Sequence, residues 1–130
     1  AYLSGFSRSN KLNENNSKVI YKAIYEYLIK ANLICDTTYS AFYNAFNGGF
    51  LTKKFNWVGS KSLLAYFISK LGDMKLINQK NYFHIASQIF NVKNQSITKE
   101  KLRNVPLVKT IKGANELLAL LTDITKDLYK

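Results

Sequence analysis

Residues 60–90 read SKSLLAYFISKLGDMKLINQKNYFHIASQIF, and the periodicity of this stretch governs how the rest of the chain is read. Leu63, Leu64, Phe67, Ile68 and Leu71 recur at spacings of three and four, so Gly59 and Ser60 open an amphipathic helix that Gly72 is expected to stop. A connection carrying Leu76 and Ile77 follows. Tyr82, Ile85, Ala86 and Ile89 then define a second helix over about residues 78–91. Shifting the sequence by 43 residues lays an earlier pair of helices on this one: Ser17 falls on Ser60, Lys18 on Lys61, Leu28 on Leu71, Leu33 on Leu76, Ile34 on Ile77 and Tyr39 on Tyr82. Ile20, Ile24, Phe42 and Phe46 keep apolar phase with Leu63, Phe67, Ile85 and Ile89. Two readings of this echo stand. It is either a duplicated helical hairpin or the partial agreement that any two amphipathic pairs reach when the shift is close to twelve turns of about 3.6 residues.

Residues 1–16, with Ser4, Gly5, Ser7, Ser9 and an Asn-rich run at 13–16, have loop chemistry and predict a flexible or loosely packed arm. Ser17 is the candidate N-cap of a helix to about Ala31, with Ile20, Ile24, Leu28 and Ala31 on its buried face. Asp36 is a second candidate cap, before a helix whose stripe is Tyr39, Phe42, Tyr43 and Phe46 and whose stop is Asn47, Gly48 and Gly49. From Phe50 to Trp57, the apolar Leu51, Phe55 and Trp57 alternate with Lys54 and Asn56, which predicts an extended segment or short strand. Val92 to Ile97 reads as a turn or short strand. Thr98 caps a brief helix through Leu102, and Pro106 keeps it from running on. A last helix from about Leu107 carries Ile111, Ala114, Leu118, Leu121 and Leu128, widened by Leu117 and Ile124. The expected fold class is therefore all-α. One helical domain over 17–130 would comprise a first hairpin (17–49), an extended link (50–59), a second, helix-turn-helix-like hairpin (60–91), and a basic loop with a long C-terminal helix (92–130).

Lys and Arg number 19 against 8 Asp and Glu, a net charge of +11 on 130 residues. Between Lys53 and Lys112 stand twelve basic residues and two acidic ones, Asp73 and Glu100, so nearly all of the positive field belongs to the second half. The chemistry of a catalytic or metal site is missing. His84 is the only histidine, with no carboxylate or cysteine three or four residues away, so neither a metal site nor a histidine-centred triad follows from spacing. Cys35 stands alone, which excludes an intrachain disulfide and a cysteine cage. Gly59-Ser60-Lys61 lacks the first glycine of a phosphate loop, since position 54 is Lys54. A non-enzymatic protein with no cofactor is expected. No apolar run approaches the roughly 18 residues that span a bilayer, and no signal-peptide pattern opens the chain, so the expectation is cytoplasmic and without a membrane partner.

What remains is a helix, a turn and a helix inside the basic half, the minimum apparatus for placing a helix in the DNA major groove. With Tyr82, Ile85, Ala86 and Ile89 inward, Lys80, Asn81 and His84, with Ser87 and Gln88, occupy the other faces, where Asn and Gln can pair with adenine and Lys can neutralise phosphate. Lys93, Lys99, Lys101 and Arg103 follow as a basic cluster able to grip the backbone as a wing does, and Lys53, Lys54 and Lys61 complete the candidate interface. The bland alternative is an ordinary solvated face. A second functional reading is a protein-interaction module whose exposed tyrosines, Tyr21, Tyr25 and Tyr43, line a groove for an acidic partner.

The run Trp57-Val58-Gly59-Ser60-Lys61-Ser62-Leu63-Leu64, with the helix to Leu71 and a second helix ending in Ile89-Phe90, resembles the C-terminal part of the RteC-like proteins over roughly residues 55–128. That family is associated with helix-turn-helix regulators of the excision of conjugative mobile elements. The resemblance implies double-stranded promoter DNA as the partner and transcriptional control as the role. It also implies that the glycine permits a bend, the serine caps the helix and the tryptophan packs beneath.

Overall fold

The computed structural model describes residues 3–4, 6, 14–35, 37–46, 49–51, 53–77, 81–105, 111 and 113–126. Along these residues the elements run β1 (Leu3–Ser4), α1 (Glu14–Lys30), β2 (Ile34–Cys35), α2 (Tyr39–Ala45), β3 (Phe50–Leu51), β4 (Phe55–Trp57), α3 (Lys61–Asp73), α4 (Tyr82–Ile89), β5 (Phe90–Val92), β6 (Gln95–Ser96), α5 (Lys99–Arg103) and α6 (Ala114–Thr125). The expectation of an all-α domain is corrected. Four strands form a mixed sheet in the order β2-β4-β5-β6, and β1 pairs with β3 in a separate two-stranded ribbon. β2 runs antiparallel to β4, with Ile34 opposite Trp57, and β6 runs antiparallel to β5. β4 and β5 are parallel, Phe55 opposite Phe90 and Trp57 opposite Val92. A parallel pair needs a long crossover, and α3 with α4 supplies it.

The helices begin and end where local chemistry allows. α1 starts at Glu14, not at Ser17: Ser17 lies inside the helix, fully buried, with its hydroxyl 3.3 Å from that of Tyr43. α2 is capped by Thr38, whose hydroxyl accepts from the Ala41 N–H at 3.2 Å. The expected cap Asp36 lies outside the described residues. Ser60 caps α3, its hydroxyl accepting from the Leu63 N–H at 3.0 Å, while the Trp57 indole donates to the Ser60 carbonyl at 2.9 Å. Gly72 does not stop α3, which runs one residue further and turns at Lys75 with φ 58°. α4 begins after Asn81 and ends at Ile89, because Phe90 is already extended and starts β5. The expected start at 78–80 lies outside the described residues, as do 107–110, where the last helix was expected to begin, and Leu128. α6 buries Ala114, Leu117 and Leu121, so its stripe centres on Leu117 instead of Leu118. Lys93 and Asn94, both at positive φ (52° and 66°), make the two-residue turn between β5 and β6, as the right-handed twist of a tight hairpin requires.

One core serves both hairpins. Ring pairs run without a break from Phe6 to Phe46, Phe42, Phe55, Phe90, Trp57 and Phe67, with centroids 4.6–6.1 Å apart. Each such contact contributes about 0.5–1.5 kcal/mol beyond the area it buries. Phe6, expected in an arm, is fully buried and its N–H donates to the Ala45 carbonyl. Tyr21 is also fully buried, against the expectation of an exposed side chain, and its hydroxyl donates to the Leu76 carbonyl, tying α1 to the turn after α3. Asn56 sits at the centre of β4 with only 8% exposure. Burying an amide there is tolerable because it is satisfied: its oxygen accepts from the Asn94 N–H at 2.7 Å and its nitrogen lies 3.4 Å from the Cys35 sulfur.

Candidate nucleic-acid interface

α5 docks on α4, and these two helices share the most extensive contact between elements among the described residues. Thr98 makes this possible. Its hydroxyl accepts from the Lys101 N–H at 3.3 Å and starts a helix of one and a half turns, which buried Leu102 anchors. Lys99 and Arg103, four residues apart, then fall on one face of α5, across from the N-terminal end of α4. Between them is an open cleft of about 540 Å³ lined by Asn81, Tyr82, Phe83, His84, Lys99 and Arg103. Four of the ten side chains expected from the sequence are thus brought together.

The electrostatics of this cleft are one-sided. Among the described residues no carboxylate lines it, and neither Lys99 nor Arg103 has an ion-pair partner. Asn81 stands at the N-cap of α4 in the left-handed region, φ 59°, and its side chain makes no capping bond. The first-turn N–H groups of α4 are therefore not closed by a side chain and add the partial positive charge of a helix start to that of the two cations. His84 is exposed, its Nε2 lying 3.1 Å from the Gln88 amide nitrogen, and its carbonyl accepts from the Ser87 hydroxyl at 2.6 Å.

The other expected residues go elsewhere. Lys54 is half-buried, and its ammonium donates to the Ser87 carbonyl at 3.5 Å, near the C-terminal end of α4 where a cation is favoured. Lys53 and Lys101 are exposed but lie outside the cleft, and Lys61 is the exposed first residue of α3. Lys93 lines a separate hollow of about 360 Å³ with Tyr27, Leu33, Val58 and Glu116 among its walls. In that hollow, burial and then the Glu116 carboxylate push the Tyr27 hydroxyl above its ordinary value. Lys80 lies outside the described residues. Two residues of the cleft were not read from the sequence as surface groups: Phe83 was not singled out, and Tyr82 was assigned to the inward stripe, whereas both are half-buried at the cleft wall with rings 4.6 Å apart. The available signal was an aromatic pair set between Asn81 and His84.

No protein-family model, curated protein or solved structure matches this chain. Among the described residues, no group of three or more His, Cys, Asp or Glu side chains could hold a metal ion, and no helix is long and apolar enough to cross a membrane.

Proposed function

We propose that this chain is a non-enzymatic, double-stranded-DNA-binding domain that grips the sugar–phosphate backbone in the cleft between α4 and α5. The observation that supports this reading most is the convergence of Lys99, Arg103, Asn81 and His84 on one cleft that no carboxylate lines among the described residues. A phosphate seated there meets two cations and an uncapped helix start, and Asn81 and His84 lie beside it at the end of α4, the part of a recognition helix that contacts base edges. A net charge of +11 supplies the long-range attraction. The finer role, transcriptional control in a conjugative mobile element, rests on the resemblance over residues 55–128 alone.

Fluorescence anisotropy with a random-sequence duplex across a salt series tests this. Affinity is expected to fall linearly with log salt, with a slope of about −0.9 per phosphate neutralised. K99E/R103E should weaken binding by more than about tenfold and reduce the slope by about two. K53E/K101E, the same change of net charge outside the cleft, should retain most of the affinity. Equal losses in both variants, or no binding at low ionic strength, would overturn the proposal.

A further inference from the structure

The cleft between α4 and α5 has an aromatic component that a grip on the sugar–phosphate backbone leaves unused. Tyr82 and Phe83, the first two residues of α4, are both half-buried on its wall, with Lys99 and Arg103 of α5 on the wall opposite. The two rings meet in a T, their centroids 4.6 Å apart and their planes at 66°. Tyr82 is also packed against α3, where a Cβ on Gly72 would lie 2.5 Å from its ring. A T-shaped contact takes up at most one face of each ring, and α3 claims more of Tyr82, so Phe83 is the better placed of the two to offer a face to the cleft. A phosphate has no use for that face. Away from its ends an intact duplex has none either, because each base is covered by its neighbours in the stack, whereas a base outside the stack presents a π-surface of its own.

We infer that the cleft takes an unpaired nucleotide of a DNA strand, its base lying on Phe83 and its flanking phosphates meeting Lys99 and Arg103. This rests on the DNA-binding reading of the same cleft and names the part of the DNA that enters it. The division of the walls matches the division of the ligand. One wall, on α5, carries two cations at i and i+4 for the anionic backbone, and the other, on α4, carries the rings for the flat base. The volume of about 540 Å³ lies within the range of about 300–1,000 Å³ that holds ligands of this size, so a base is accommodated together with its phosphate. Asn81, whose side chain makes no capping bond, brings an amide that both donates and accepts at a base edge. Stacking tolerates every base, so the feature recognised is an unpaired stretch beside a duplex and not a sequence.

The test is fluorescence anisotropy of the full chain with three labelled DNAs: a blunt duplex, the same duplex with a single-stranded thymidine overhang, and the same duplex with an equally long overhang of abasic residues. The two overhangs carry the same phosphates and differ only in their bases. The thymidine overhang is expected to bind about tenfold more tightly than the abasic one. Phe83→Leu keeps an apolar side chain at a half-buried position and removes the ring, and should make the two overhangs equal. Phe83→Tyr retains the ring and should preserve the preference, and K99E/R103E should weaken binding of all three DNAs. Thermal denaturation followed by circular dichroism checks that the variants fold, and the comparison of overhangs in the unsubstituted chain needs no variant. Salt-dependent binding of the blunt duplex with equal affinity for the two overhangs would overturn the inference and leave the backbone grip standing. A preference for thymidine that survives in Phe83→Leu would overturn it too, and absence of binding to any of the three would overturn both readings. A Phe83-dependent preference for thymidine without binding of the blunt duplex would uphold the inference and remove the intact duplex as the ligand.

Discussion

The two helical hairpins end their first helices in the same way. At the end of α1 the N–H groups of Ala31, Asn32 and Leu33 donate to the carbonyls of Tyr27, Ile29 and Leu28; at the end of α3 those of Met74, Lys75 and Leu76 donate to Lys70, Gly72 and Leu71, and every pair is offset by 43. Asn32 and Lys75 hold the left-handed position of this turn at φ 57° and 58°. Shared apolar phase alone does not require a shared turn, so the echo extends from pattern to backbone. The hairpins then part company at their second helices. Thr38 closes the start of α2 with its hydroxyl, whereas Asn81, 43 residues on, leaves the start of α4 without a side-chain cap. The second helix of the first hairpin thus starts with a Thr38 cap, and that of the second hairpin starts without a cap from Asn81, beside Lys99 and Arg103.

If the equivalence is physical, Leu28 and Leu71 must be worth the same. Both are fully buried and both accept the outermost hydrogen bond of the turn. Leu28→Ala and Leu71→Ala are each expected to cost about 2–5 kcal/mol, by lost burial and a cavity. Urea denaturation followed by circular dichroism reads this directly. A loss below about 1 kcal/mol at one site, with several at the other, would break the correspondence.

The next comparison concerns a difference. Gly72 corresponds to Ile29, which is 39% exposed, while a Cβ at Gly72 would lie 2.5 Å from the Tyr82 ring. In a helix interior Gly→Ala ordinarily gains about 1 kcal/mol, but overpacking costs about 1–3 kcal/mol. With the Tyr82 ring held at 4.6 Å from Phe83, we expect Gly72→Ala to destabilise by on the order of 1 kcal/mol, and Ile29→Ala to change stability by less than that. Adding Tyr82→Ala should abolish the penalty at Gly72, which a double-mutant cycle measures. A neutral or stabilising Gly72→Ala would mean that close approach of α4 to α3 does not separate the two hairpins.

The helices were legible because their signals are dense: apolar residues every three or four positions, Ser60 and Thr98 as caps, and a connection with a repeated apolar pair. The sheet was not. Ile34–Cys35 and Phe90–Val92 are too short to show a period of two, and the parallel pairing of β4 with β5 depends on α3 and α4 folding back between them. Alternation around Phe55-Asn56-Trp57 predicted an extended segment or short strand but not that Asn56 is buried, which its bonds with the Asn94 N–H and the Cys35 sulfur make tolerable. The candidate interface was legible as chemistry but not as a place. Asn81, His84, Lys99 and Arg103 could be named, but their convergence follows from α5 returning to α4 after the β5–β6 turn. Lys54 reads in sequence like any other lysine, and only the nearby end of α4 makes it a hydrogen-bond donor to Ser87.

The finest distinction between the two hairpins lies in the left-handed residues Asn32 and Lys75. An L residue with a Cβ loses about 1–2 kcal/mol in that region, Asn less than most because its short amide bonds locally, and Gly almost nothing. Against that gain stands the greater freedom that Gly has in the unfolded chain, about 0.5–1 kcal/mol. Lys75 is exposed, so replacing it sacrifices little packing, and Lys75→Gly should stabilise by roughly 0.5 kcal/mol. Asn32→Gly should come out near zero, since Asn already tolerates the conformation. The difference between the two urea midpoints is the quantity to measure. Equal gains would mean that Asn32 and Lys75 are strained alike, and a loss at Lys75 would mean that its side chain makes a contact that outweighs the strain.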